Sequence, residues 1–214
     1  LLRTVLTFFV ISMIFNMFIT AGRAGQVMFF ASLAVLTFQF FRGSQVKATI
    51  ISAIIIFVIG FGGYNYSPLF KNRIQQISYD LALFTTNPNT SLGHRIVFAE
   101  NTMEMIKASP FFGVGTGDFP AEYTKINLIN SPAVKSTVQP HNMYLYVQAQ
   151  LGLIGLVSFL WIFYVQFQIA VTSKNQFVHH AGVALPVLFM IIMMSDTYLL
   201  GHFTSNLFIL FSSF

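Results

Sequence analysis

The 214-residue chain has few charged side chains, and this scarcity limits what the protein can be. Charged residues make up 8% of the chain and hydrophobic residues 55%, whereas soluble domains carry about 25% charged residues. So few charges cannot coat a soluble protein of this size, and so apolar a chain does not stay disordered. The net charge of +5 is scattered without a basic patch, which argues against a nucleic-acid partner. We therefore expect an integral membrane protein.

Cysteine is missing from the sequence, which excludes several kinds of site. Disulfide scaffolds, thiolate zinc sites, iron–sulfur clusters and cysteine nucleophiles all require it. The histidines also lack the spacing of metal ligands, so we expect no metal and no other cofactor. Because the chain begins at Leu1 and shows no signal-peptide pattern, we expect either a processed or a partial chain.

Long apolar runs predict the fold. A helix needs about 20 apolar residues to cross a hydrocarbon core of about 30 Å, and these runs are continuous rather than alternating, as spanning helices require. We predict an all-α, polytopic transmembrane bundle of about six helices. Residues 1–63 would form three of them, residues 64–140 a large extramembrane loop with one short helix, and residues 141–214 about three more. The runs are residues 5–20, 26–41, 46–63, 143–171, 181–200 and 203–214.

The basic residues near the runs predict the orientation. With six crossings, four cations near the ends of the runs fall on one side, and the positive-inside rule places that side in the cytoplasm. The loop 64–140 then faces outward, and its own charges do not oppose this because long loops translocate regardless of charge. The cations that set the orientation are Arg3, Arg42, Lys47 and Lys174.

The loop contains two features that suggest a site. Ser91 is placed to cap a helix that ends near Ala108, before Pro110, and this helix either lies on the membrane as an amphipathic element or carries functional groups. A glycine-rich turn follows at residues 113–117. It matches neither the dinucleotide nor the P-loop pattern, although its backbone N–H groups can face an anion.

Three of the ionisable residues on the predicted outer side are candidate site residues, and each has a structural and a functional interpretation. His141 is either structural or a base that deprotonates a hydroxyl, because imidazole exchanges protons near neutral pH. Arg23 either snorkels at a helix end or clamps an anion, and Arg95 is either a solvated charge or a phosphate contact. Asp196 and His202, near the end of the fifth run, either complete this polar cluster or pair with each other.

At these residues the sequence resembles the O-antigen ligase family, which also includes O-antigen polymerases and bacterial O-oligosaccharyltransferases. Residues 22–25 (GRAG) are similar to the family's arginine element at the end of an earlier helix, with Gly22 where many members have Ser. Asp196 and the helix after it resemble the family's C-terminal segment. The chain looks like the C-terminal half of a member. The other matching segments, in order, are Arg95, residues 109–119 (SPFFGVGTGDF), Tyr123, residues 140–145 (PHNMYL) and residues 151–156 (LGLIGL).

The resemblance implies a metal-independent membrane glycosyltransferase of the bacterial inner membrane with its active face in the periplasm. Its donor would be a glycan on undecaprenyl pyrophosphate, and its acceptor a hydroxyl of lipid A–core, of a glycan or of a protein. By similarity, His141 acts on the acceptor hydroxyl, while Arg95 and Arg23 hold the pyrophosphate. The residues expected to bind substrate are Asn142, Gly113, Gly115, Gly117, His94 and Tyr123.

Other functions remain open at this point. Ligation to lipid A–core, which we expect, shares its motif with polymerisation of repeat units and with transfer to protein. From a different class, the chain could be a transporter or channel module whose outer loop is a gate, or a membrane subunit without chemistry. A metal held by acidic residues of the loop is a weaker alternative to arginine. Those acidic residues are Glu100, Glu104, Asp118 and Glu122.

Overall fold

A computed structural model describes residues 2–19 and 22–212 of the chain. Within these residues the protein is all-helical, with nine α-helices, one 3₁₀ turn and no strand, which confirms the predicted all-α class. The helices are α1 (Leu2–Ile19), α2 (Arg23–Phe40), α3 (Gln45–Tyr66), α4 (Pro68–Leu83), α5 (Ser91–Ala108), α6 (Phe119–Asn130), α7 (Met143–Thr172), α8 (Gln176–Ile192) and α9 (His202–Ser212), and the 3₁₀ turn is Tyr198–Leu200.

Two of the described helices are long and apolar enough to cross a membrane, α3 and α7. Two further apolar helices, within α2 and at α8, are shorter. The expected count of about six crossings is therefore not confirmed by the helices that the structure describes.

The segment predicted as a loop with one short helix contains three helices, α4, α5 and α6, in the described chain. Local signals explain the start of α4: Pro68 occupies its first position, and the Ser67 hydroxyl accepts a hydrogen bond from the N–H of Phe70 at 3.2 Å. Neither α4 nor α6 contains a long apolar run, which is why the hydropathy pattern does not reveal them. The predicted cap of α5 is one residue off, because Thr90, not Ser91, accepts from the N–H of Gly93.

The chain divides into two compact units, residues 1–79 and 80–214. In the first unit α2 contacts both α1 and α3. The Ser67 hydroxyl donates to the carbonyl of Phe18 at 2.9 Å and ties the end of α3 to the end of α1. Gly63 lies so close to Phe18 that an added Cβ would be 2.2 Å from the ring, so the approach of these helices depends on that glycine.

The second unit has two hydrophobic clusters, and both include α7. One joins α7 to α5 and α6, and the other joins it to α8 and α9. In the second cluster the ring of Phe208 lies 5.2 Å from Phe163 and 5.0 Å from Phe189. The buried residues of the first cluster include Val97, Phe98, Met105, Phe119, Tyr123 and Ala149, and those of the second are Met143, Val147, Phe163, Phe189 and Met193.

Helix α7 is broken at Gly152, where φ is 66° and ψ is −166°. The segment after α5 fills the break: the N–H of Leu153 donates to the carbonyl of Pro110 at 2.8 Å, and the N–H of Val114 donates to the carbonyl of Ala149 at 2.9 Å. An added Cβ at Gly152 would lie 2.1 Å from the carbonyl oxygen of Phe111. The continuous apolar run in the sequence therefore does not reveal that α7 is interrupted at Gly152, where the loop after α5 is hydrogen-bonded to it. We call this contact the joint at Gly152.

Candidate active site

The N-terminus of α7 holds His141 in an unusual backbone conformation. Its φ is 53°, in the left-handed region that few non-glycine residues adopt, although histidine is among the types enriched there. Pro140 before it is fully buried. Asn142 after it caps α7, because its Oδ1 accepts from the N–H groups of Tyr144 and Leu145 at 3.0 and 3.1 Å. The chain is therefore fixed on both sides of His141.

Hydrogen bonds join this end of α7 to the end of α8. The N–H of Met143 donates to the carbonyl of Met193 at 2.9 Å, and Nδ2 of Asn142 donates to the carbonyl of Met194 at 3.2 Å. The hydroxyl of Tyr144 donates to the carbonyl of Met190 at 2.6 Å. These contacts bring the segment after α8 beside His141.

Asp196 lies in that segment and pairs with His141. The distance from Nδ1 of His141 to Oδ1 of Asp196 is 3.0 Å, and the two side chains are 32% and 33% exposed. A carboxylate accepts hydrogen bonds, so this contact favours the tautomer in which Nδ1 carries the proton, and in that tautomer Nε2 carries the lone pair. The ring also stacks on Phe98, with centroids 5.9 Å apart and an interplanar angle of 21°. The contact to Asp196 and the stacking on Phe98 thus fix the orientation of the His141 ring.

Asp196 is itself held in place. Its Oδ1 accepts from the N–H of Thr197 at 2.8 Å. The sequence left open whether Asp196 pairs with His202 or joins a larger cluster, and the structure pairs it with His141. The antiparallel arrangement of α7 and α8 is the signal that can predict this contact, because it places residues 141 and 196 at the same end.

Arg95 and His141 line one cavity of about 320 Å³. Arg95 projects from α5, and no carboxylate within the described chain lies at salt-bridge distance from it. A guanidinium without a carboxylate partner can bind phosphate oxygens in a bidentate manner. The other residues that line this cavity are Ile96, Ala99, Glu100, Pro140, Asn142, Leu145 and Met194.

Asp196 lines a second cavity, of about 460 Å³, so each member of the His141–Asp196 pair faces a different cavity. Tyr198 lies in the second cavity. Burial raises the pKa of the Tyr198 phenol, Asp196 raises it further, and the positive charge of Arg95 opposes both. The charges of Arg95 and Asp196 therefore shift the pKa of Tyr198 in opposite directions. The remaining lining residues are Gln139, Thr197, Leu200, Gly201, Phe203 and Thr204.

The three glycines predicted to bind substrate direct their N–H groups into the protein. The N–H of Gly113 donates to the carbonyl of Ser109, that of Gly115 to the carbonyl of Gln150, and that of Gly117 to Oε1 of Gln150 at 2.7 Å. All three have positive φ, between 71° and 113°, which explains why glycine is present. In this structure the turn joins α7 to α5.

Two other predicted binding residues lie outside both cavities. Tyr123 is fully buried, stacks on Phe119 at 5.6 Å, and accepts a hydrogen bond from Asn101 at 3.2 Å, so it belongs to the core. His94 stacks on Phe98 at 5.8 Å, and its Nε2 lies 3.2 Å from Oδ1 of Asn89.

The remaining predictions concern Arg23 and metals. Arg23 begins α2, and its side chain lies outside the described part of the structure. Among the residues that the structure describes, no three His, Asp or Glu side chains are grouped as metal ligands would be.

A comparison with known families matches residues 8–160, more than two thirds of the chain, to the model described as O-antigen ligase. The chain belongs to the O-antigen ligase family. This confirms the resemblance to the family, and the matched range contains Arg95 and His141. The family consists of membrane-embedded glycosyltransferases of the ligase and polymerase type.

One curated relative is an uncharacterized protein of Haemophilus influenzae. It is 31% identical to this chain over 123 residues, which cover 54% of this chain and 31% of the relative. The chain thus matches less than a third of the relative's length.

Proposed function

We propose that this chain carries the catalytic site of a membrane glycosyltransferase of the O-antigen ligase type. It transfers a glycan from an undecaprenyl-pyrophosphate donor to a hydroxyl of lipid A–core. The observation that carries this proposal is the placement of the His141–Asp196 pair, whose two members line two different cavities, one of which is also lined by Arg95. Two cavities on either side of an oriented histidine suit a reaction that brings together two large substrates.

The first cavity is proposed to take the pyrophosphate beside Arg95 and the acceptor hydroxyl beside His141. The second cavity is proposed to hold the rest of the acceptor molecule. Nε2 of His141 removes the proton from the acceptor hydroxyl, whose oxygen attacks the anomeric carbon of the donor glycan. The bond between that carbon and the pyrophosphate oxygen breaks, and undecaprenyl pyrophosphate leaves with the electron pair. Asp196 stabilises the imidazolium that forms.

Arg95 is proposed to stabilise the leaving pyrophosphate as negative charge develops on it. One preorganised donor aimed at such a charge contributes about 3–4 kcal/mol. Arg23 is proposed as a second pyrophosphate ligand, on the basis of the GRAG element that resembles the family's arginine motif. Asn142 contributes by fixing the end of α7, since it lines the first cavity while its amide caps the helix.

We also propose that arginine, rather than a metal ion, neutralises the charge of the leaving pyrophosphate. The charge of Arg95 can neutralise the leaving group, so transfer is expected to continue in excess chelator. Loss of transfer that a divalent cation restores would defeat this point.

The site is proposed to face the periplasm, with about six helices crossing the inner membrane. The cations Arg42, Lys47 and Lys174 support this orientation because they lie in short links beside apolar helices. A topology reporter fused after Asn130 is expected outside the cytoplasm, and the same reporter fused at Lys174 inside it. A cytoplasmic signal at position 130 would contradict the orientation.

The catalytic roles are tested by transfer in vesicles that contain the lipid-linked donor and lipid A–core. We expect His141→Ala and Arg95→Ala each to lose at least about 100-fold in rate, with expression and helix content unchanged. His179→Ala is the matched control, because α8 places it about 20 Å along the helix from the Asp196 end. Lys107→Gln, three turns further along α5 than Arg95, controls for the loss of a cation. Full transfer by both site variants would overturn the assignment.

A further inference from the structure

The exposure of α7 changes abruptly at its break. Every residue from Met143 to Gln150 is buried or half-buried by other helices. From Leu151 onward, most of the large apolar side chains are exposed, among them Ile154 at 56% and Trp161 at 61%. One helix therefore has a protein-covered first part and an uncovered apolar second part.

The uncovered part has the length of a membrane crossing. Residues 151–172 include no charged side chain. They extend about 33 Å at 1.5 Å per residue, against a hydrocarbon core of about 30 Å. The hydrocarbon boundary therefore falls at Gly152, and the covered part of α7 stands above it.

Phe111 and Phe112 are fixed at this boundary. The carbonyl of Phe111 accepts from the N–H of Ile154 at 3.4 Å, and that of Pro110 accepts from Leu153 at 2.8 Å. Both rings remain uncovered, with Phe111 60% and Phe112 76% exposed. The loop cannot leave this level without breaking its hydrogen bonds to the first turn of the exposed helix.

We propose that Phe111 and Phe112 insert into the lipid at the membrane boundary and set the depth of the extramembrane unit. The occupant of this surface is lipid, because both rings are exposed and their backbone is hydrogen-bonded to the first turn of the uncovered, charge-free part of α7. About 12 Å of helix separates Leu151 from Met143, so the anchor also fixes the height above the hydrocarbon at which the cavity beside His141 opens. The inference depends on the membrane crossing of α7 and not on the chemistry at His141.

The single tryptophan of the chain, Trp161, allows a direct test of depth. It lies about 13 Å beyond Gly152 along α7, near the middle of the hydrocarbon. In a Trp161→Phe background, Phe112→Trp places the only indole on the loop. The 214-residue chain is reconstituted in phosphatidylcholine vesicles that carry a spin-label quencher near the headgroup or deep in the acyl chain.

We expect the indole at position 112 to be quenched at least about twofold more by the shallow label than by the deep one, and Trp161 in the unsubstituted chain to show the reverse order. Acrylamide in the water should quench position 112 weakly, whereas Lys125→Trp in the same background provides the exposed reference, because the Lys125 side chain is 68% exposed. Phe111→Trp repeats the measurement if the first variant folds poorly. Acrylamide quenching equal to that of the reference, or protection from both acrylamide and lipid quenchers by a protein partner, would overturn the proposal.

Discussion

Nδ1 of His141 lies 3.0 Å from Oδ1 of Asp196, two residues separated by 55 positions in the chain. The contact forms because the start of α7 is hydrogen-bonded to the end of α8 through Met143 and Met193. The contact gives His141 an orienting partner that lies outside the Pro-His-Asn segment from which His141 was predicted.

The joint at Gly152 predicts a strong dependence of stability on that residue. Its backbone conformation is essentially restricted to glycine and costs other residues about 1–3 kcal/mol, and a Cβ there would also collide with Phe111. Gly152→Ala should therefore lower the thermal midpoint in detergent by several degrees or prevent folding. Gly60→Ala is the control, since nothing lies within 4 Å of a Cβ in the middle of α3. Equal thermal midpoints for the two variants would contradict the claim that stability depends on the glycine at position 152.

The buried phenol of Tyr123 predicts a loss of stability at alkaline pH. Burial raises the pKa of Tyr123 above its ordinary 10.0, and the hydrogen bond from Asn101 offsets this in part. Because the folded-state pKa is the higher one, the contribution of the protonated phenol is complete below about pH 10 and is lost as pH rises through the folded pKa.

Tyr123→Phe should remove that pH dependence while costing about 1 kcal/mol at neutral pH from the lost hydrogen bond. Thermal midpoints measured from pH 7 to 11 check this, with the exposed Tyr79→Phe as control. If the midpoint of Tyr123→Phe falls above pH 10 as steeply as that of the unsubstituted protein, the phenol is not the cause.

The second cavity predicts a variant that affects the acceptor alone. Leu200 lines this cavity and is 50% exposed, so a larger side chain there can fill space without disturbing the core. Leu200→Trp should raise KM for lipid A–core about 10-fold, equal to ~1.4 kcal/mol, and leave KM for the lipid-linked donor unchanged. Leu207→Trp, at a similarly exposed position of α9 outside the cavity, is the control. A rise in donor KM instead would reverse the assignment of the two cavities.

The apolar runs predicted the positions of α1, α2, α3 and α7 because burial in lipid selects continuous hydrophobicity. They could not reveal α4 and α6, whose mixed composition lacks such a run, and they hid the break at Gly152 inside one. The fifth run was predicted to continue to residue 200, whereas α8 ends at Ile192. The chain leaves the helix there, and this brings Asp196 to His141.

The sequence predicted only part of the candidate site, because a motif does not show the contacts of its residues. The motif named Arg95 and His141, and the structure places both on one cavity. It also named Tyr123 and the glycines, whose roles in this structure are a buried ring and three internally bonded amides. A motif shows which residues occur together, but the partners of each N–H group and ring depend on how α5, α6 and α7 pack.

The central claim is that His141 and Asp196 act as one base, and a double-mutant cycle on the transfer rate tests it most directly. His141→Ala should cost on the order of 10²–10⁴-fold, and Asp196→Asn should cost less while preserving the fold. Because Asp196 acts through His141, the double variant should be no slower than His141→Ala alone. Penalties that multiply in the double variant would contradict the account.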